Sequence, residues 1–105
     1  MLKKDLKLAR LMRKRMEAIP GFQRMVVFGS RARGDADPES DLDLFIEVTE
    51  LTKEIREQIQ TAAWEVSLEN GVMISTFIAS SYSLTNSMLT ANPLLKSIEI
   101  DGVVV

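Results

Sequence analysis

The hydrophobic positions of this chain fall into two rhythms, helical and alternating, which together lay out an α-β-β-α-β order. Leu2, Ala9, Met12, Met16 and Ile19 gather on one side of a helical wheel, which predicts an amphipathic helix over 2–19 that Pro20-Gly21 ends. Residues 23–28, QRMVVF, are short, apolar and β-branched, the mark of a buried strand. Residues 30–34 could close one helical turn on Gly34, and 34–41 (GDADPESD) are turn formers that predict an exposed loop. In 41–48, Leu42, Leu44, Ile46 and Val48 alternate with Asp41, Asp43, Phe45 and Glu47, as in a strand with two unlike faces. Leu51, Ile55, Ile59, Ala62 and Val66 form a narrow stripe that predicts a helix over 51–69, ended by Asn70-Gly71. Residues 72–79 (VMISTFIA) read as a third strand. Beyond Ser80 the signals weaken: a short helix over 81–90, a helical turn over 93–98 and an extended end at 103–105. The expected fold class is α+β, a small mixed sheet with helices packed mainly on one face.

Length and composition narrow what such a fold could do. With 105 residues, 46% hydrophobic and 27% charged, residues 1–105 are expected to form a single small globular domain. The absence of cysteine excludes disulfides, thiolate metal sites and a thiol nucleophile, and the absence of histidine excludes an imidazole base or ligand. Carboxylates and a bound metal are what remains for catalysis. The apolar runs are too short for a membrane helix. The charged start, MLKKDLKLAR, lacks the apolar stretch of a signal peptide, so a cytoplasmic location is expected.

Charge is unevenly spread. Residues 1–24 carry eight Lys and Arg against Asp5 and Glu17, a local +6 in a chain of net −2. Lys3, Lys7, Arg10 and Lys14 form a stripe that could grip nucleic acid or an acidic partner, with affinity falling steeply with salt. Without interleaved aromatics it reads first as a solvated helix face. Trp64 and Leu68 lie away from the apolar stripe of their helix. The C-terminal tail (Leu94, Leu95, Ile98) is expected to cover them; otherwise they belong to an interface with a partner or, in a homo-oligomer, with another subunit.

One constellation carries chemistry. Gly29-Ser30 follows a buried strand directly, and Asp41-Leu42-Asp43 opens the next. Glycine there allows a sharp turn and close approach of a ligand, and Ser30 offers a hydroxyl beside the N–H groups of the turn, a phosphate cradle. Asp41 and Asp43, two apart on a strand, project to one side about 6.6 Å apart at Cα. Two such carboxylates repel unless a cation lies between them, and Mg²⁺ (or Mn²⁺) takes one or two carboxylates together with water and phosphate. The joint pattern implies a nucleoside triphosphate on the Gly29-Ser30 turn with its metal on Asp41 and Asp43. Arg31 and Arg33 could neutralise phosphate or pair with nearby acids.

The stretch GSRARGDADPESDLDLFI resembles the signature of the DNA polymerase β-type nucleotidyltransferase superfamily, in its minimal (MNT) branch. The resemblance implies transfer of a nucleoside monophosphate, usually AMP from ATP, to an acceptor hydroxyl. By this resemblance Gly29 and Ser30 would bind the triphosphate, and Asp41 and Asp43 would be the catalytic, metal-holding pair; Arg33, from its place beside the turn, is the further candidate for nucleotide binding. Many stand-alone members resemble antitoxins that work with a separate HEPN-type toxin, and some place AMP on a tyrosine of that partner. The family pattern usually adds a third carboxylate on a following strand; here VMISTFI has none, and Ser75 is the nearest match. Glu47 lies about 13 Å further along its strand than Asp43 and is a poor substitute. The alternative is a weakly active or inactive module that neutralises a partner by binding.

Overall fold

The computed structural model describes residues 1–86 and 92–105. Helix α1 (Lys3–Met16) buries Leu8, Ala9, Met12 and Met16 along one arc. It stops short of the expected end at residue 19. The amides of Ala18 and Ile19 turn back to Arg15 O and Met16 O, tightening the last turn. Ile19 precedes Pro20, a position that disfavours helical backbone.

Strand β1 (Phe22–Phe28) runs into a one-turn helix α2 (Gly29–Arg33), which Gly34 closes in the left-handed conformation (φ +83°). Strand β2 (Leu42–Val48) follows the loop. Helix α3 (Lys53–Asn70) starts where Thr52 Oγ1 accepts from the Ile55 amide (3.1 Å) and ends at Gly71, whose N–H donates to Ser67 O. Strand β3 (Ile74–Ser80) leads directly into α4 (Ser81–Asn86). The rest of the helix expected over 81–90 lies outside the described residues. Helix α5 (Pro93–Asp101) is longer than the expected turn. Asn92 Oδ1 accepts from the Leu94 amide (2.9 Å), and Pro93 fits the first helical position. The end of the chain forms β4 (Val103–Val104).

The sheet has the order β3-β2-β1-β4. β1 pairs antiparallel with β2 and with β4, whereas β2 and β3 are parallel and α3 makes the crossover between them. The sheet is mixed, as the pattern predicts. On its first face the two long helices cover Met25, Val27, Leu42, Leu44, Ile46 and Val48, all at most 2% exposed. The second face carries a smaller cluster in which Val26, Phe28, Phe45 and Ala79 meet Ile98 of α5. Phe45 stacks on Phe77 with ring centroids 5.8 Å apart.

This second cluster corrects the expectation for Trp64. Leu94, Leu95 and Ile98 pack against Val26, Phe28 and Phe45, across the sheet from α3. Trp64 and Leu68 remain 56% and 64% exposed. The tail instead covers Val26, Phe28 and Phe45, whose ring is fully buried in that cluster. The cations of the α1 stripe are solvated, as expected. Among the described residues no helix is long and apolar enough to cross a membrane.

Candidate active site

The tip of the second face, where β1 ends and β2 and β3 begin, gathers the predicted residues. The β1–β2 register sets Phe28 against Asp43, and the β2–β3 register sets Asp43 against Ser75. Gly29 therefore turns directly over Asp43. Its φ is +76°, and a Cβ built on it would stand 2.5 Å from Asp43 Oδ2. Only glycine allows both the left-handed turn and that approach.

Asp41 lies one residue before β2 and is exposed, whereas Asp43 is half-buried. The backbone between them is fixed by the Leu42 amide, which donates to Met73 O (2.9 Å), and by Leu42 itself, buried in the first-face core. Burial raises the Asp43 carboxyl above its ordinary value, and the charge of Asp41 raises it further. The two carboxylates are thus close enough to repel, and Asp43 is short of solvent to stabilise its charge.

Ser75 is exposed on the edge strand beside Asp43, on the face where Phe77 stacks with Phe45. Ser75, the nearest match in sequence to the family's third carboxylate, thus lies directly across from Asp43. Among the described residues no group of three or more Asp, Glu, His or Cys gathers to hold a metal. Glu47 is engaged elsewhere: it accepts from Arg24 Nε (2.8 Å) and Ser81 Oγ (2.7 Å). Burial pushes its carboxyl up, but those two hydrogen bonds outweigh burial and leave it below its ordinary value.

The two arginines of the turn separate in role. Arg33 is exposed and pairs with Asp101 (3.1 Å) and Asp35 (3.3 Å); hydrogen bonds to Asp101 and then to Asp35 raise its pKa. Arg31 is 3% exposed and closed off from solvent. It donates through Nη1 to Asp5 Oδ1 (2.7 Å), through Nε to Ser40 O (2.8 Å) and through Nη2 to Pro38 O (3.0 Å). Asp5 is the partner that charge counting misses. A signal for it does exist, because Asp5 falls on the same helical arc as Leu8, Ala9, Met12 and Met16.

Among known proteins, the nucleotidyltransferase domain model matches residues 9–84. A protein of Methanocaldococcus jannaschii named as a candidate protein adenylyltransferase is 43% identical over 58 residues. That match takes in 54% of this chain and 59% of the relative, so the chain spans about three-fifths of that protein's length. A crystal structure of a toxin–antitoxin with AMP-PNP superposes with a TM-score of 0.64 at 19% identity, covering 98% of this chain and 72% of that one. A Shewanella oneidensis complex of a tri-AMPylated HEPN toxin with an MNT antitoxin gives a TM-score of 0.55 at 17% identity, covering 95% and 66%. At such identities the structures speak for the fold. The family match, however, runs from α1 through the Gly29-Ser30 turn and the Asp41–Asp43 pair into α4, and on that extent the chain belongs to the nucleotidyltransferase domain family.

Proposed function

We propose that this chain, acting as one minimal domain over residues 1–105, transfers AMP from Mg–ATP to a hydroxyl of a macromolecular acceptor, a HEPN-type protein partner. The observation that carries the reading is the packing of Gly29 over Asp43 with Asp41 beside it. That arrangement brings the Gly29-Ser30 turn beside two crowded carboxylates. The relative named as a candidate protein adenylyltransferase and the AMP-PNP and AMPylated complexes that share the fold support adenylyl transfer in particular.

Enzymes of this fold generally use divalent metals. The residues here fit one. Two carboxylates, one of them half-buried and held under repulsion, are a donor set that Mg²⁺ or Mn²⁺ completes with water and substrate phosphate. Asp41 and Asp43 would hold it, and when bound it would neutralise charge on the phosphates.

The roles of the chain's own groups follow. Gly29 and Ser30 receive the β- and γ-phosphates, since N–H groups in a helix's first turn have no intrahelical acceptor. Arg33, exposed on the same turn, can leave Asp35 or Asp101 to meet a phosphate oxygen. The acceptor's hydroxyl oxygen attacks the α-phosphorus in line, and the bond from that phosphorus to the bridging oxygen breaks. Pyrophosphate leaves, and the acceptor keeps the AMP ester. With Ser75 rather than a carboxylate across from Asp43, the hydroxyl's proton goes to water or to a base brought by the partner.

Incubating the chain with a HEPN-type partner, labelled ATP and Mg²⁺ tests the reading. Label on the partner that disappears in Asp41→Asn supports it. Partner inhibition that survives Asp41→Asn without any transfer replaces it with neutralisation by binding alone. A thermal-shift titration with ATP, with and without Mg²⁺ or Mn²⁺, gives a second measure. Ligand at a hundredfold excess over Kd stabilises by about 2.7 kcal/mol, and the metal-dependent part should vanish when both Asp41 and Asp43 are changed to Asn.

A further inference from the structure

The loop that delivers Asp41 has little holding it in place. Asp35, Asp37, Pro38 and Glu39 are exposed, and Ala36, the one apolar side chain besides proline, is only half-buried. Its internal bonds are local turns: Ser40 N to Asp37 O (2.9 Å), Glu39 N to Asp37 Oδ1 (2.9 Å) and Asp35 N to Ser30 O (3.2 Å). Such a segment would ordinarily sample many conformations. Ser40, directly before Asp41, is nevertheless held by a buried side chain rooted two residues after Gly29.

We infer that Arg31 is a positioning residue for Asp41. Its guanidinium ties the Gly29-Ser30 turn to the carbonyls of Pro38 and Ser40, and Asp5 of α1 supplies the counter-charge that lets it stay buried. The planar fork of arginine suits this role, because three of its nitrogens reach three acceptors on two segments at 2.7–3.0 Å. Side chains on both sides of the Asp5–Arg31 pair are 3% exposed, so the pair is screened little by solvent. Arg31 has no open side towards a phosphate, which separates it from Arg33. A buried ion pair is seldom retained for stability alone, because apolar residues of similar size often serve equally well. The bonds to the two carbonyls give this one a further use. The cradle and the carboxylate that must act together become parts of one rigid unit.

The inference rests on the reading of Asp41 and Asp43 as a metal pair, and its test separates the two. Mn²⁺ affinity in the presence of ATP is measured by electron paramagnetic resonance on the intact chain, on Arg31→Lys and on the double variant Asp5→Leu/Arg31→Met. The double variant removes the charges together, so no buried charge is left unpaired. Both variants should melt cooperatively yet bind Mn²⁺ about tenfold or more weakly, the loss typical when a residue that orients a metal ligand is removed. Hydrogen exchange on the unmodified chain gives an independent reading. The Ser40 amide should be protected to the same degree as the Gly34 amide of the adjoining helical turn, and in Arg31→Lys only the Ser40 protection should fall. Unchanged Mn²⁺ affinity in a folded variant overturns the inference. So does a Ser40 amide that exchanges far faster than Gly34 in the unmodified chain, a measurement that decides the matter even if the variants do not fold. Absence of Mn²⁺ binding by the unmodified chain would instead count against the metal pair itself, leaving the exchange data to judge the clamp.

Discussion

Asp43 works against the stability of its own fold. Its carboxyl is raised above its ordinary value by burial and by Asp41. The folded chain therefore binds that proton more tightly than the unfolded chain does, and ionising the group costs the native state extra. That cost is absent below the ordinary carboxylate range, grows as pH rises to the raised folded value, and stays in full above it. Asp43→Asn should accordingly raise the metal-free Tm at pH 7, with a gain that shrinks on acidification. On the proposed function, adenylyl transfer should fall at least about a hundredfold, since losing one of the two metal-holding carboxylates would forfeit several kcal/mol of charge stabilisation. Melting curves across pH 4–8 and a transfer assay check the two halves; a Tm that drops at pH 7 would contradict the first. Ser75 offers the converse experiment. It sits opposite Asp43 in the β2–β3 register. Ser75→Asp should add a third carboxylate, lowering the metal-free Tm and enlarging the Mg²⁺-induced thermal shift.

At the scale of elements, the site is a junction whose parts are fixed from a distance. β1 and β2 are antiparallel neighbours, so the end of one and the start of the other lie side by side although ten residues of sequence separate Ser30 from Asp41. The crossover helix α3 sets β3 parallel to β2 and so decides that Ser75 comes to Asp43. The N-terminus of α3 rests on Thr52, whose hydroxyl oxygen accepts from the Ile55 amide. Thr52→Ala should cost about 1 kcal/mol and lower the Tm, while transfer per folded molecule stays unchanged, because Thr52 lies near the opposite end of β2 from Asp43. Denaturant melts paired with activity measured well below the midpoint distinguish the two effects. Loss of transfer at full folding would show that α3 communicates with the site.

For the molecule as a whole, two cores on opposite faces of one sheet divide the labour. The first, under α1 and α3, is built from residues the hydrophobic pattern singled out, including Met12, Met16, Leu42, Leu44, Ile46 and Val48. The second, under α5, is smaller and lies on the face from which Asp43 projects. Trp64, the chain's single tryptophan, contributes to neither. Its fluorescence should be red-shifted in the native chain, with little further shift on unfolding. Trp64→Ala should change stability by no more than about 0.5 kcal/mol, the usual range for surface substitutions. Phe45→Ala, by contrast, removes a fully buried ring stacked on Phe77 and should cost roughly 3–5 kcal/mol. A blue-shifted native emission would place Trp64 in an interface between chains.

Local pattern was enough to mark the main elements and to single out the residues of the candidate site. Periodicity marked both long helices and all three longer strands, because burial of one face imposes it. The Gly29-Ser30 turn and the Asp41–Asp43 spacing were legible because backbone freedom and strand geometry act over a few residues. Which distant groups meet was settled only by the folded arrangement. Periodicity could place Asp5 on the buried arc of α1 but not against Arg31, since nothing local records a contact 26 positions away. The same holds for α5, which covers Phe45 rather than Trp64. Which apolar surfaces pair depends on the area each leaves uncovered, and that exists only once the sheet is assembled.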